Sequence, residues 1–312
     1  MSLTKNDFIS KIKACTVHLT FDTTFHCNME CPICIANAGP KISKDKNIPT
    51  KDMEYYANQP NIGNILITGG EVSTLGLDYF RDAAFICADS GHQTVIKTNA
   101  KWVREENAAD YADVIYQLSK KYNDIQILEK TKFANFGVDI SVGKDHENSN
   151  EYALEFLTLL PDKNSKSFEY NLHFVASDYA EARNFQRNLE SYGMRVNLKG
   201  YIVSPGCNVF GKITQLERII KLGRARINNI GETPAPLAIK TTDDLLNQIM
   251  DRGRDTGKES VCLDFYPNGF VYLIDCDMNF LAGMRYKENN VPMDLEQIVI
   301  RLAENAYAKH LR

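Results

Sequence analysis

The sequence predicts an α/β protein: a partial (β/α)6 TIM-type barrel followed by a small α+β C-terminal extension. Three observations predict it. Short apolar runs alternate with amphipathic runs of helical period from about residue 15 to residue 225. Several apolar runs end in a small or polar residue, as strands feeding loops do. The composition then shifts at Asn228-Asn229-Ile230-Gly231-Glu232-Thr233-Pro234-Ala235-Pro236, which reads as a linker. The expected division is residues 1–227 for the barrel and 228–312 for the extension.

Taken in order, Val17 to Phe21 is the first strand. Thr50 to Asn58 is a short helix with Pro49-Thr50 as its start signal. Ile62 to Thr68 is the second strand. Leu77 to Ala88 is a helix with Leu77, Phe80, Ala84 and Cys87 on one face, which makes Cys87 a core residue. Thr94 to Thr98 is the third strand, and Glu105 to Lys121 a helix with Ala108, Ala112, Ile115 and Leu118 inward. Phe136 to Val142 is a strand, Asn150 to Leu160 a helix, Phe168 to Ala176 a strand, Tyr179 to Tyr192 a helix and Arg195 to Val203 the sixth strand. Right-handed crossovers wrap such units into an open barrel. The extension holds a helix over Thr242 to Arg252, a hairpin around Asn268-Gly269 and a last helix over Leu295 to Leu311.

At 312 residues the chain can bury a full core. Its 36 basic and 40 acidic residues leave a net charge of −4, with no basic excess to suggest nucleic-acid binding. No apolar run approaches the ~18 residues of a membrane span. The start, Met1 to Asp7, lacks the apolar centre of a signal peptide. Eight cysteines without a secretion signal argue for metal or redox chemistry in a reducing, cytoplasmic setting.

Cys27, Cys31 and Cys34 carry the chemistry. Their spacing, Cys-x3-Cys-x2-Cys, can hold three irons of a four-iron cluster and leave the fourth without a protein ligand. Zinc is the competing occupant. A closed structural zinc site needs a fourth ligand, and His26, adjacent to Cys27, is poorly placed to supply one. The spacing resembles that of the radical SAM superfamily, and Asn28 directly after the first Cys agrees with it. Ile33 departs from the family, which usually has an aromatic residue before the last Cys. The resemblance covers about residues 15 to 225 and implies the same partial barrel, a [4Fe-4S] cluster and S-adenosylmethionine.

Chemistry in parallel barrels sits at the C-terminal strand ends. Gly69-Gly70-Glu71 ends the second strand. Two glycines let the backbone approach a ligand closely, and Glu71 can accept hydrogen bonds from an ammonium. A tight turn with a solvated Glu is the plainer alternative. The resemblance implies the family's Gly-Gly-Glu motif, which binds the amino group of S-adenosylmethionine. Thr98-Asn99-Ala100 stands where the family often has Thr-Asn-Gly. Ser141 ends the fourth strand, where a family Ser binds the ribose or carboxylate of the cofactor. Asp145 and His146 lie in the loop beyond, facing the same mouth. His173 reads either as a residue pointing toward the cofactor or as a hydrogen-bonded core histidine. Gly200 to Ser204, with Val203, weakly resembles the sixth-strand segment along adenine. Lys221 to Ala225 resembles the family's Gly-Arg-Ala turn.

Of the other cysteines, Cys15 reads as packing. Cys207 falls at the barrel mouth and is a candidate hydrogen-atom donor, a cluster ligand or a loop thiol. Cys262 and Cys276 flank the hairpin. The pattern resembles the SPASM and Twitch extensions, which carry auxiliary iron–sulfur clusters, though six residues separate Gly269 from Cys276. Asp275 and Asp277 are candidate oxygen ligands to such a second cluster. The expected activity is reductive cleavage of S-adenosylmethionine to a 5′-deoxyadenosyl radical that takes a hydrogen atom from a peptide, leading to epimerisation or crosslinking. A sugar or nucleoside is the second substrate class. An iron–sulfur redox or metal-binding protein without cofactor turnover is the other class of reading. An electron donor such as flavodoxin or ferredoxin is the implied partner.

Overall fold

The structure is a computed structural model. It describes residues 3–32, 34, 36–122, 136–143, 146–147, 149–160, 170–176, 184, 187, 197–202, 241–252, 259–274 and 280–311.

Six strands run parallel and in sequence order across one sheet: β1 (Thr16–Asp22), β2 (Ile62–Thr68), β3 (Gln93–Thr98), β4 (Phe136–Val142), β5 (Tyr170–Ala176) and β6 (Asn197–Ile202). The helices between them include α2 (Thr50–Ala57), α3 (Leu77–Asp89), α4 (Ala108–Tyr122) and α5 (Ser149–Leu159). This is the alternation expected of a partial barrel. Val17, Leu19 and Phe21 are buried on one face of β1, and Phe80, Ala84 and Cys87 are buried on α3. Leu77 is only partly buried.

The sheet continues past β1. Strand β8 (Glu259–Phe265) pairs parallel with β1, and β9 (Phe270–Ile274) and β10 (Phe280–Arg285) follow antiparallel. The hairpin expected at Asn268-Gly269 is the β8–β9 turn, where Gly269 takes φ +83°. The C-terminal segment also packs on α2. The Tyr56 ring lies 4.6 Å from that of Phe265, and its hydroxyl donates to the Tyr286 carbonyl at 2.8 Å. Buried Asp52 pairs with Lys287.

Several boundaries moved. The helix expected over Thr242 to Arg252 is α6 (Thr242–Ile249). Met250 leaves the helical region at ψ 110°, and Asp251–Arg252 (β7) pairs with β8 instead, so sheet pairing overrides helical period. The helix expected from Glu105 starts at Ala108, because a 3-10 turn, Lys101–Arg104, anchored by buried Trp102, comes first. Helix α1 (Lys5–Lys13) was not expected, although Thr4 and Asp7 form a capping box there. It packs through Phe8 on Tyr307 of α7 (Leu295–His310), ring centroids 5.7 Å apart. The short pair β11 (Lys287–Glu288) and β12 (Val291–Pro292) was also unforeseen. The expected helix at Tyr179 to Tyr192, apart from residues 184 and 187, and the linker at 228–236 lie outside the described residues. Among the described residues no helix is long and apolar enough to cross a membrane.

Candidate cluster and cofactor site

Strand β1 delivers the chain into a long loop that folds back on itself. The Cys27 N–H donates to the Gly39 carbonyl at 3.2 Å, the Gly39 N–H to Phe25 at 3.1 Å and the Ile48 N–H to Thr23 at 2.9 Å. Met29, Ala38 and Ile48 are buried and anchor the loop. Cys27 and Cys31 are buried, Cys34 is half-buried, and none of the three is in a disulfide. Backbone N–H groups reach two of the sulfurs: Met29 to Cys27 at 3.4 Å and Ala38 to Cys34 at 3.3 Å. His26 turns away, its Nδ1 2.6 Å from the Ile42 carbonyl.

The thiols suit a cationic metal group. Burial pushes the Cys27 thiol up to about 12, and the charges of Glu71, Cys31 and Cys34 add to this, while the Met29 N–H opposes it. Three thiolates so placed need compensating positive charge, which coordinated metal supplies. Among the described residues, no three His, Cys, Asp or Glu side chains converge on a single-ion site. The three sulfurs are donors of the kind iron–sulfur clusters take.

The Gly-Gly-Glu turn after β2 packs against this loop. Gly69 holds φ +119°, and a Cβ there would meet the Thr24 carbonyl oxygen at 2.5 Å. A Cβ on Gly70 would meet the His26 carbonyl oxygen at 2.0 Å. The close approach these glycines permit is to the chain's own backbone: Gly70 N–H donates to Thr24 at 2.6 Å and Glu71 N–H to His26 at 3.0 Å. The glycines were expected to admit a ligand, and the contact found is internal.

Glu71 is 1 % exposed. Its carboxylate accepts from the Ser73 hydroxyl at 2.9 Å, the Thr98 hydroxyl at 3.0 Å and the Asn99 N–H at 2.7 Å. Burial raises its pKa, and these donors pull the other way. Thr98 in turn accepts from Trp102 Nε1 at 3.1 Å. Asn99 donates its side-chain amide to Asn28 at 2.8 Å and toward the Cys27 sulfur at 3.6 Å. Lys101 Nζ donates to the Asn28 carbonyl at 2.8 Å and pairs with Glu147, which accepts the Glu30 N–H at 2.9 Å.

Thus Cys27, Cys31, Cys34, Gly69, Gly70, Glu71 and Asn99 come together at the C-terminal strand ends. Ser141 sits near the end of β4, in register with His173 of β5. Cys262 lies mid-strand in β8, in register with His18 and Ile274, rather than on a loop. Cys15 is buried and donates to the Lys11 carbonyl, and Cys87 is fully buried, as a packing role requires. Cys207, Val203, Cys276, Asp275, Asp277, Asp145 and residues 221–225 lie outside the described residues, as does the His173 side chain. Sequence reasoning missed Ser73 and Trp102, which bond Glu71 and Thr98 close by in sequence, and Lys101 and Glu147, whose partners lie far away in sequence. It also missed the buried acids Asp22 and Asp264.

No family model matches the chain, and no curated protein matches it. Solved structures similar to it include native anSMEcpe with bound AdoMet, at 14% identity and TM-score 0.48, covering 95% of this chain and 82% of that one. The same protein with bound AdoMet and Cp18Cys peptide aligns over the same shares at TM-score 0.46 and 14% identity. Streptococcus suis SuiB bound to S-adenosylmethionine aligns at 11% identity and TM-score 0.40, over 91% of this chain. The chain spans 64% of SuiB.

Proposed function

We propose that the chain is a radical SAM enzyme that modifies a peptide. One observation carries the reading: the three-cysteine loop packs against both the Gly-Gly-Glu turn and Asn99, three motifs read separately in the sequence. A redox protein that only holds a cluster has no use for this assembly of strand ends.

A [4Fe-4S] cluster with S-adenosylmethionine supplies, when bound, a 5′-deoxyadenosyl radical for hydrogen abstraction. The chain's part is to bind, orient and exclude water. Cys27, Cys31 and Cys34 hold the cluster. Asn99 and the Met29 and Ala38 N–H groups donate toward its sulfur ligands, a contact that tunes cluster potential. Glu71 and Ser141 position the cofactor. The peptide class rests on the resemblance of the C-terminal hairpin to SPASM extensions, with Cys262 and Cys276 as auxiliary-cluster ligands.

The test is anaerobic reconstitution followed by reduction with S-adenosylmethionine present. Iron should reach at least about four per chain, and replacing Cys27, Cys31 and Cys34 together by Ala should remove about four. 5′-Deoxyadenosine should form only with the cluster present. Zinc at full occupancy with no iron uptake, or iron without 5′-deoxyadenosine, overturns the reading.

A further inference from the structure

Strands β1 and β8 pair with Thr20 opposite Asp264 and Phe21 opposite Phe265. Side chains alternate along a strand, so Phe21 and Phe265 share one face and Asp22 and Asp264 the other. The Phe21 and Phe265 rings lie 5.5 Å apart, and Phe265 meets Tyr56 of α2, so theirs is the helix-covered face. The two acids stand on the opposite, inner face of the partial barrel. Asp22 is 7 % exposed and Asp264 3 %.

The Tyr266 side chain interacts with both carboxyl groups and opposes the upward pull of burial on each. Asp264 Oδ1 has no hydrogen-bond partner among the described residues. Lys97, on β3 beside Asp139 of β4, acts on Asp22. Among the described residues no cation acts on Asp264. A buried carboxylate with an unmade bond bears its desolvation cost uncompensated. Here two acids face each other with one lysine near only one of them. The position is at the working end of the fold. Asp22 is the last residue of β1 and leads into the cysteine loop, and the Tyr266 ring lies 5.4 Å from that of Phe25.

We propose that Asp22 and Asp264, with Tyr266 next in the chain after Phe265, form a substrate subsite that takes a cationic nitrogen group, an ammonium or a guanidinium. The proposal rests on the enzyme reading above and assigns the charge of its substrate. Such a group brings the donors that Asp264 Oδ1 lacks and a second positive charge beside that of Lys97. In a peptide it belongs to a lysine or arginine side chain or to the free N-terminus.

The probes are four short peptides, titrated into the reconstituted protein with S-adenosylmethionine present. Ac-Ala-Lys-Ala-amide and Ac-Ala-Arg-Ala-amide carry a side-chain cation, Ala-Ala-Ala-amide carries only a free N-terminus, and Ac-Ala-Gln-Ala-amide is neutral. At least one cationic peptide should bind about tenfold or more tightly than the neutral one, and which one does so identifies the source. Asp264→Asn should erase that preference while leaving iron content and S-adenosylmethionine affinity unchanged. Tyr266→Phe, which keeps both acids, should retain part of it. Asp264→Asn replaces a buried carboxyl group that has an unmade bond at Oδ1, so its melting temperature should not fall. Equal binding of charged and neutral peptides, or a preference that survives Asp264→Asn, overturns the subsite. So does a collapse of folding in Asp264→Asn, which marks the acid as structural. A protein that forms no 5′-deoxyadenosine but keeps the charge preference overturns the enzyme reading and leaves the cation subsite standing.

Discussion

The Glu71 carboxylate accepts the Asn99 backbone N–H at 2.7 Å, and Asn99 in turn directs its amide toward the Cys27 sulfur at 3.6 Å. A buried acid at the end of β2 thereby sets the end of β3, and through it the cysteine loop after β1. Thr98 and Ser73 complete the acceptor's bonds. The carboxylate is a brace for the site, whatever it also does for a cofactor.

Glu71→Ala should therefore strand the Ser73, Thr98 and Asn99 donors in the interior. A loss of about 2–4 kcal/mol in denaturant unfolding is expected, with reduced iron uptake. Glu71→Gln keeps an acceptor oxygen and should retain iron. If the negative charge serves the ammonium of S-adenosylmethionine, affinity for it should still fall about tenfold in this variant. Unchanged affinity in Glu71→Gln would confine the residue to bracing.

Gly70→Ala would place a methyl group 2.0 Å from the His26 carbonyl oxygen, which is fixed backbone. The turn or the cysteine loop must shift. Iron content should drop, and stability should fall by about 3 kcal/mol or more, as for overpacking without room to relax. Gly91→Ala is the control. Gly91 has positive φ, at +81°, which Gly70 does not, but nothing lies within 4 Å of its added Cβ. It should lose only about 1 kcal/mol and keep its iron.

Ala100 takes φ 58°, ψ 9°, a left-handed conformation, and is fully buried. That conformation explains why glycine suits this position. Ala100→Gly trades relieved strain against a lost methyl and a freer unfolded chain, so the net change should stay within about 1 kcal/mol. Ala100→Val should cost about 2 kcal/mol or more, since a branched side chain resists positive φ. Thermal melts of the two variants should separate in that order.

Burial pushes Asp22 up to about 7, opposed by Lys97 and Tyr266. An acid with a raised native pKa takes up its proton more readily when folded. Its contribution to stability is full below the ordinary carboxylate range and is lost as pH rises through about 7. The ligand-free protein should melt at a lower temperature at pH 8 than at pH 5.5, and Asp22→Asn should flatten that slope. An unaltered slope in the variant would assign the dependence to other groups.

The strand pattern was legible because parallel strands buried on one or both faces read as short apolar runs. Ile62–Thr68 and Phe136–Val142 match their expected bounds residue for residue. The cysteine triplet was legible because its ligands are close in sequence. The end of α6 was not, because Asp251 and Arg252 are drawn into a ladder with β8 that no local period announces. The barrel and extension read as separate stretches of sequence, yet β8 lies directly beside β1 in one sheet.

The sequence by itself determined the alternation of strands and helices and the identity of the three thiol donors, since both depend on residues a few positions apart. Tertiary structure decided what surrounds those thiols. Asn99 is 72 positions from Cys27, and Lys101 is 73 from Asn28. Asp264 meets Asp22 only because the chain returns to pair β8 with β1. A hydrogen bond or a buried charge depends on distance in space, and closing a long loop erases the relation between that distance and separation along the chain.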